Sequence, residues 1–167
     1  MPDFSPRVNE PLKMLTDESG RAFFLGRDGT IHKKYGRDGA LLLGKITEQE
    51  NYGNFVYLDA IAPHVVFIVG ARGSGKSYSL GVIAEELISK NPNVALVIID
   101  PIGIYWSMKH PNQEERELDD LVRMGLTPRG VDSVSVFVPH GVRNTLPPDT
   151  YDKAYALRPA DLTVDEW

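Results

Sequence analysis

The stretch Gly70-Ala71-Arg72-Gly73-Ser74-Gly75-Lys76-Ser77 constrains this chain more than any other, because of what flanks it. Before it, Val65-Val66-Phe67-Ile68-Val69 is an unbroken apolar run, the pattern of a strand buried on both faces of a parallel sheet. After it, Leu80, Ile83, Ala84, Leu87 and Ile88 recur at helical spacing between about Lys76 and Lys90, and Asn91-Pro92-Asn93 breaks the pattern. A second apolar run, Val94 to Ile99, closes on Asp100-Pro101. Strand, glycine loop, helix and strand make a βαβ unit, whose crossover is expected to be right-handed.

The loop fits G-x-x-x-x-G-K-[ST], and each residue type in it has a chemical reason. Small glycines let backbone amides turn inward around phosphate oxygens, and the following helix offers its positive end to the same anion. The expected nucleotide contacts are Gly70, Ala71, Arg72, Gly73, Ser74, Gly75, Lys76, Ser77 and Tyr78. Lys76 reaches the β- and γ-phosphates and is a catalytic candidate, while Ser77 is the candidate Mg²⁺ ligand. The expected ligand is therefore ATP with Mg²⁺.

Asp100 is the second catalytic candidate, because it closes a strand on the edge where open α/β sheets bind ligands. There it orients a nucleophile or holds a magnesium-bound water; capping the loop after the strand is the alternative. His64 either links the N-terminal region to the glycine loop or is a hydrogen-bonded structural histidine. Solvent exposure is the default for Arg72, and core packing is the default for Tyr105 and Trp106. His32, His110 and His140 show no metal-ligand spacing.

Residues 1–60 are expected to form a β-rich region and residues 61–167 an α/β region. Ala22 to Leu25, Thr30 to Tyr35, Ala40 to Ile46 and Phe55 to Asp59 read as short strands. Two copies of Gly-Arg-Asp-Gly, at 26–29 and 36–39, read as hairpin turns, since Asp-Gly favours positive φ. A β-meander or small barrel follows. Later in the chain, Gln113 to Met124 reads as a helix stopped by Gly125, and Val134 to Val138 as a strand. From Pro139 to Trp167 no periodicity is evident.

Charge excludes one simple reading. The net charge is −5, and residues 1–60 carry 8 basic and 9 acidic side chains against 10 and 14 in residues 61–167. Neither part is a basic platform for nucleic acid on its own. The absence of cysteine excludes disulfides and cysteine-ligated metals. No apolar stretch reaches the roughly 18 residues that a membrane helix needs, and residues 1–11 show no export signal, so the cytoplasm is expected.

The segment from Pro63 through GARGSGKS, with VALVIIDPIGIYW from Val94 to Trp106, resembles the HerA-like branch of the HerA/FtsK ATPases. Leu43-Gly44-Lys45-Ile46 and Gly53 to Asp59 are similar to the small β-barrel that precedes the core in that family, and His64 stands where such proteins carry a histidine. The resemblance implies an α/β fold: an N-terminal β-barrel, then a RecA-like parallel sheet with flanking helices. It also implies ATP hydrolysis coupled to translocation along, or unwinding of, double-stranded DNA by a homo-hexamer, with a possible nuclease partner and no membrane.

The chain departs from the family pattern in two places. Ile104 follows Gly103 where relatives often carry an acid, and no apolar strand ends in Asp-Glu; the pair Asp165-Glu166 has a short, polar lead-in. With 90 residues after Ser77, the chain is expected to be the N-terminal portion of a longer protein, inactive alone. A P-loop kinase for a small acceptor and a non-hydrolysing nucleotide-sensing assembly module are the alternatives.

Overall fold

Short apolar segments ahead of the glycine loop build a small open sheet. The computed structural model describes residues 14–91, 93–147, 149–158 and 160. The chain divides into two compact units, Met1–Val97 and Ile98–Trp167. In the first, β1 (Leu15–Thr16), β2 (Ala22–Leu25), β3 (Ala40–Lys45) and β4 (Phe55–Asp59) lie in the order β1-β2-β4-β3. The β2–β4 pair is parallel, with Phe24 opposite Tyr57, and the other two pairs are antiparallel.

Side-chain alternation explains the core. Ala22, Phe24 and Ala40 are buried together, with Leu15 and Tyr57 packed against them; Phe24 and Tyr57 stack at 5.3 Å. Leu25, Leu43 and Leu58 line an apolar crevice shared with Ile68, Val82 and Ile83.

The segment expected as a strand over Thr30 to Tyr35 is instead the helix α1 (Gly29–Tyr35). Asp28 decides this: its Oδ1 accepts from the amides of Thr30 at 2.7 Å and Ile31 at 2.8 Å, a helix N-cap rather than a hairpin turn. Gly36, at φ +57°, ends the helix, and His32, Lys33 and Lys34 favour its negative end.

The Gly-Arg-Asp-Gly copies are therefore helix boundaries. They are also anchors, because Arg27 pairs with Asp59 and Arg37 with Asp17, each at 2.7 Å. With a helix inserted between β2 and β3, the meander is lost. The expected barrel does not close among the described residues: the sheet is open, with β1 and β3 at its edges.

The glycine loop leads into α2 (Lys76–Lys90), which spans the expected range and ends at Asn91. Two side chains of α2 cover the free edge of β3: Glu86 Oε2 accepts from the Leu42 amide at 2.7 Å, and Lys90 Nζ donates to the Ala40 carbonyl at 3.0 Å. Edge strands need such cover to avoid stray pairing.

Two further expectations fail. Neither 65–69 nor 94–99 pairs into a sheet among the described residues, so the βαβ unit is not completed there. An apolar sequence supplies side chains for a buried strand, but the ladder needs a neighbouring backbone, and none of the described residues provides one. Phe67 is accordingly 89% exposed.

In the second unit, α3 (Glu115–Met124) ends at Gly125, whose φ of +73° lets its amide reach the carbonyls of Leu121 and Val122. The strand expected over Val134 to Val138 is β5 (Phe137–Pro139), paired in parallel with β6 (Lys153–Tyr155). That partner lies in a stretch without visible periodicity, where three residues are too few to show alternation. Asp152 holds the pair together by accepting from Lys109 Nζ and from the Val136 amide at 2.6 Å. No described helix is long and apolar enough to cross a membrane.

Candidate phosphate-binding site

The loop from Gly70 to Gly75 has a shape that only its glycines permit. Gly73 and Gly75 adopt φ of +79° and +85°, the left-handed region that side chains disfavour. A Cβ on Gly70 would collide with Ser74 Oγ. The Ser74 amide closes a turn onto the Ala71 carbonyl at 3.2 Å, and Lys76 Nζ donates to that same carbonyl at 2.7 Å.

The lysine thus lies over its own loop, with Ala71, Arg72, Gly73, Ser74 and Gly75 all exposed around it. Gly75 stands at the cap position of α2 and brings no side-chain cap, so the helix's positive end faces the loop without a carboxylate against it, in contrast to α1 and its Asp28. Ser77 and Tyr78 occupy the first turn of α2. The sequence-predicted loop residues are therefore brought together on one exposed, anion-attracting turn.

Upstream lies a buried charge network. The side chains of Arg27 and Asp59 are both fully buried, with Arg27 Nε donating to Asp59 Oδ1 at 2.7 Å. The two terminal nitrogens of Arg27 donate to the carbonyls of Gly36 and, at 2.8 Å, Asp38. Asp59 Oδ2 accepts from the Ala62 amide at 3.0 Å and from His64 Nε2 at 2.9 Å.

Burial alone would raise the Asp59 pKa, but the Ala62 amide, His64 and Arg27 together bring it below the usual carboxylate range. A Cβ on Gly26 would approach the His64 ring to 2.9 Å, so that glycine leaves room for the ring. The sequence does not mark Arg27 or Asp59 as site residues. An Arg in a turn motif and an Asp ending a strand carry no mark of burial, although His64 five residues after Asp59 was a usable signal.

In the second unit, Asp100 is saturated by backbone amides. Its Oδ1 accepts from Ile102 at 3.2 Å and Gly103 at 2.8 Å, and its Oδ2 from Ile104 at 2.6 Å and Tyr105 at 2.8 Å. Burial would raise its pKa, yet these four amides hold it below the ordinary value. That environment suits a loop cap and weakens a proton acceptor. Tyr105 and Trp106 follow in a short 3₁₀ turn, both half-buried, with the Trp106 ring edge-on to His110 at 5.8 Å.

Among the described residues, no group of three or more His, Asp or Glu side chains is placed to hold a metal ion. Asp165-Glu166 lies outside the described residues.

A family model described as "Helicase HerA, central domain" matches residues 41–167. The match begins at the second residue of β3, so β3 from Leu41 on, β4, the glycine loop and the whole second unit fall within it. No curated protein and no solved structure matches the chain.

Proposed function

The chain belongs to the family of the HerA helicase central domain, an ATPase-type P-loop family, and on that premise we propose that its glycine loop holds Mg·ATP. The observation that carries this reading is the loop itself: two left-handed glycines, a Gly70 position with no room for a Cβ, and Lys76 poised over the turn. These fit a polyphosphate. Among the described residues the lysine's charge is engaged by the Ala71 carbonyl, a neutral and weak partner that a phosphate oxygen outcompetes.

Gly70 to Gly75 would cradle the phosphates, Lys76 would neutralise charge on the transferring group, and Ser77 would ligate Mg²⁺. Bound Mg²⁺ supplies charge neutralisation at the phosphoryl oxygens. Asp100, with its lone pairs committed to amides, shapes the loop after residue 99 rather than taking a proton.

The assembled protein is proposed to couple hydrolysis to movement along double-stranded DNA as a homo-hexamer, with a nuclease as a possible partner. Family membership supports the ATPase part; the DNA and ring assignments are our reading of that family. The test is ATP turnover by the full-length, assembled protein with and without duplex DNA, beside Lys76→Ala. DNA-stimulated hydrolysis lost in the variant supports the translocase. DNA-independent phosphoryl transfer to a small acceptor would replace it with a kinase, and binding without turnover with a sensor.

A further inference from the structure

The phosphate loop is tied to the small sheet on both sides, by polar contacts from different parts of the sheet. On the entry side, Asp59 ends β4 and holds His64, six residues before Gly70; the Ala60 amide also reaches the Gly39 carbonyl at 2.8 Å. The anchor is rigid, because Asp59 is fully buried and its other oxygen is fixed by Arg27. On the exit side, Glu86 of α2 accepts from the Leu42 amide, and Lys90 donates to the Ala40 carbonyl while pairing with Glu86 at 2.6 Å. β3 and β4 are hydrogen-bonded neighbours, so the two ties converge on one strand pair.

We propose that the β3–β4 pair is the frame of the phosphate loop, with His64 and Glu86 as positioning residues that set the distance between the loop's two ends. This rests on the nucleotide-binding reading of the loop and adds to it a route by which the N-terminal sheet controls nucleotide affinity. The physical reason is preorganisation. A curled loop with several exposed residues pays an ordering cost on binding unless its ends are already held. Either tie alone leaves one end free to drift. The two therefore act as a unit, and their effects do not add.

The experiment pairs Mg·ATP titration calorimetry with hydrogen exchange of the nucleotide-free protein over residues 70–79. The variants are His64→Ala, Glu86→Ala, the double variant, and His64→Gln, whose amide can donate to Asp59 as Nε2 does. Leu15→Ala is the control: it packs on the same core from β1, at the far edge of the sheet, and costs stability without touching a tie.

Each tie variant is expected to weaken Mg·ATP binding about tenfold, with the double variant clearly short of a hundredfold. Exchange of the Ser74 and Ser79 amides, which bond to Ala71 and Gly75, should quicken in both single variants. His64→Gln should restore most of the affinity and Leu15→Ala should change neither readout. Affinity that tracks melting temperature across all variants, Leu15→Ala included, would overturn the proposal, as would exchange unchanged by loss of either tie. Absence of Mg·ATP binding by the unaltered protein would defeat the nucleotide reading instead, and the exchange data would still decide whether the frame exists.

Discussion

Asp59→Asn should be among the most destabilising single substitutions in the first unit, and its cost follows from the geometry. The carboxylate is fully buried and takes three hydrogen bonds, from Arg27, Ala62 and His64. Replacing one member of a buried ion pair leaves the other charge uncompensated, which costs about 3–5 kcal/mol. Against a typical domain stability of about 5–15 kcal/mol, that is a large share. Arg27→Met should cost a similar amount, because it strands Asp59 and frees the Gly36 and Asp38 carbonyls. The double variant should fall well short of the sum, since the lone charge is gone and only unsatisfied polar groups remain, at about 1–3 kcal/mol each.

The pH dependence has a definite sign. A carboxylate whose folded pKa is depressed gives full stabilisation above its unfolded pKa, about 4, and loses it as pH falls towards the folded value. Denaturant unfolding of the four proteins between pH 3 and 7 is the assay. A cost below about 1 kcal/mol for Asp59→Asn, the scale of an exposed pair, would refute the reasoning.

Lys76→Ala should abolish Mg·ATP binding in calorimetry while shifting stability by less than about 0.5 kcal/mol, because its partner among the described residues is an exposed carbonyl. Gly73→Ala and Gly75→Ala should each cost about 1–2 kcal/mol of left-handed backbone strain, read by thermal unfolding, and weaken nucleotide binding as well. Asp28→Ala should remove about 1 kcal/mol and melt α1, visible as loss of helical chemical shifts over residues 29–35. Asp100→Asn should flatten the decline of stability below about pH 4, since the wild-type carboxylate is held ionised by four amides and loses that support on protonation.

What the sequence made legible divides by the range of the interactions involved. α2 was readable with its approximate bounds because a fifteen-residue apolar period is bounded by a glycine and by Asn91-Pro92. β4 was readable because four apolar or aromatic residues in a row end at a charged one. α1 was misread because Asp28-Gly29 suits both a hairpin and a helix cap, and the choice depends on where one carboxylate oxygen points. Among the described residues the barrel does not close, since β4 lies between β2 and β3 where a meander would pair β2 with β3 directly. Partner choice across 32 residues, as between Arg27 and Asp59, leaves no periodic trace in a single sequence.

The candidate site follows the same rule, which explains why its chemistry was plain while its scaffold was not. Lys76 finds its acceptor five residues back, Ser74 three residues back, and the α2 amide of Ser79 four residues back at Gly75. Each of these bonds is short-range in sequence, and the ties to the sheet govern how firmly the loop is held. The glycine loop therefore takes its shape even though residues 65–69, which lead into it, have no strand beside them among the described residues. Local bonds determine the loop's curl but not its placement relative to the rest of the molecule. Placement falls to the longer-range contacts, Asp59 to His64 on one side and Leu42 to Glu86 on the other. A substitution inside the loop should thus remove or distort the phosphate contacts themselves, and one at a tie should weaken binding while leaving those contacts intact.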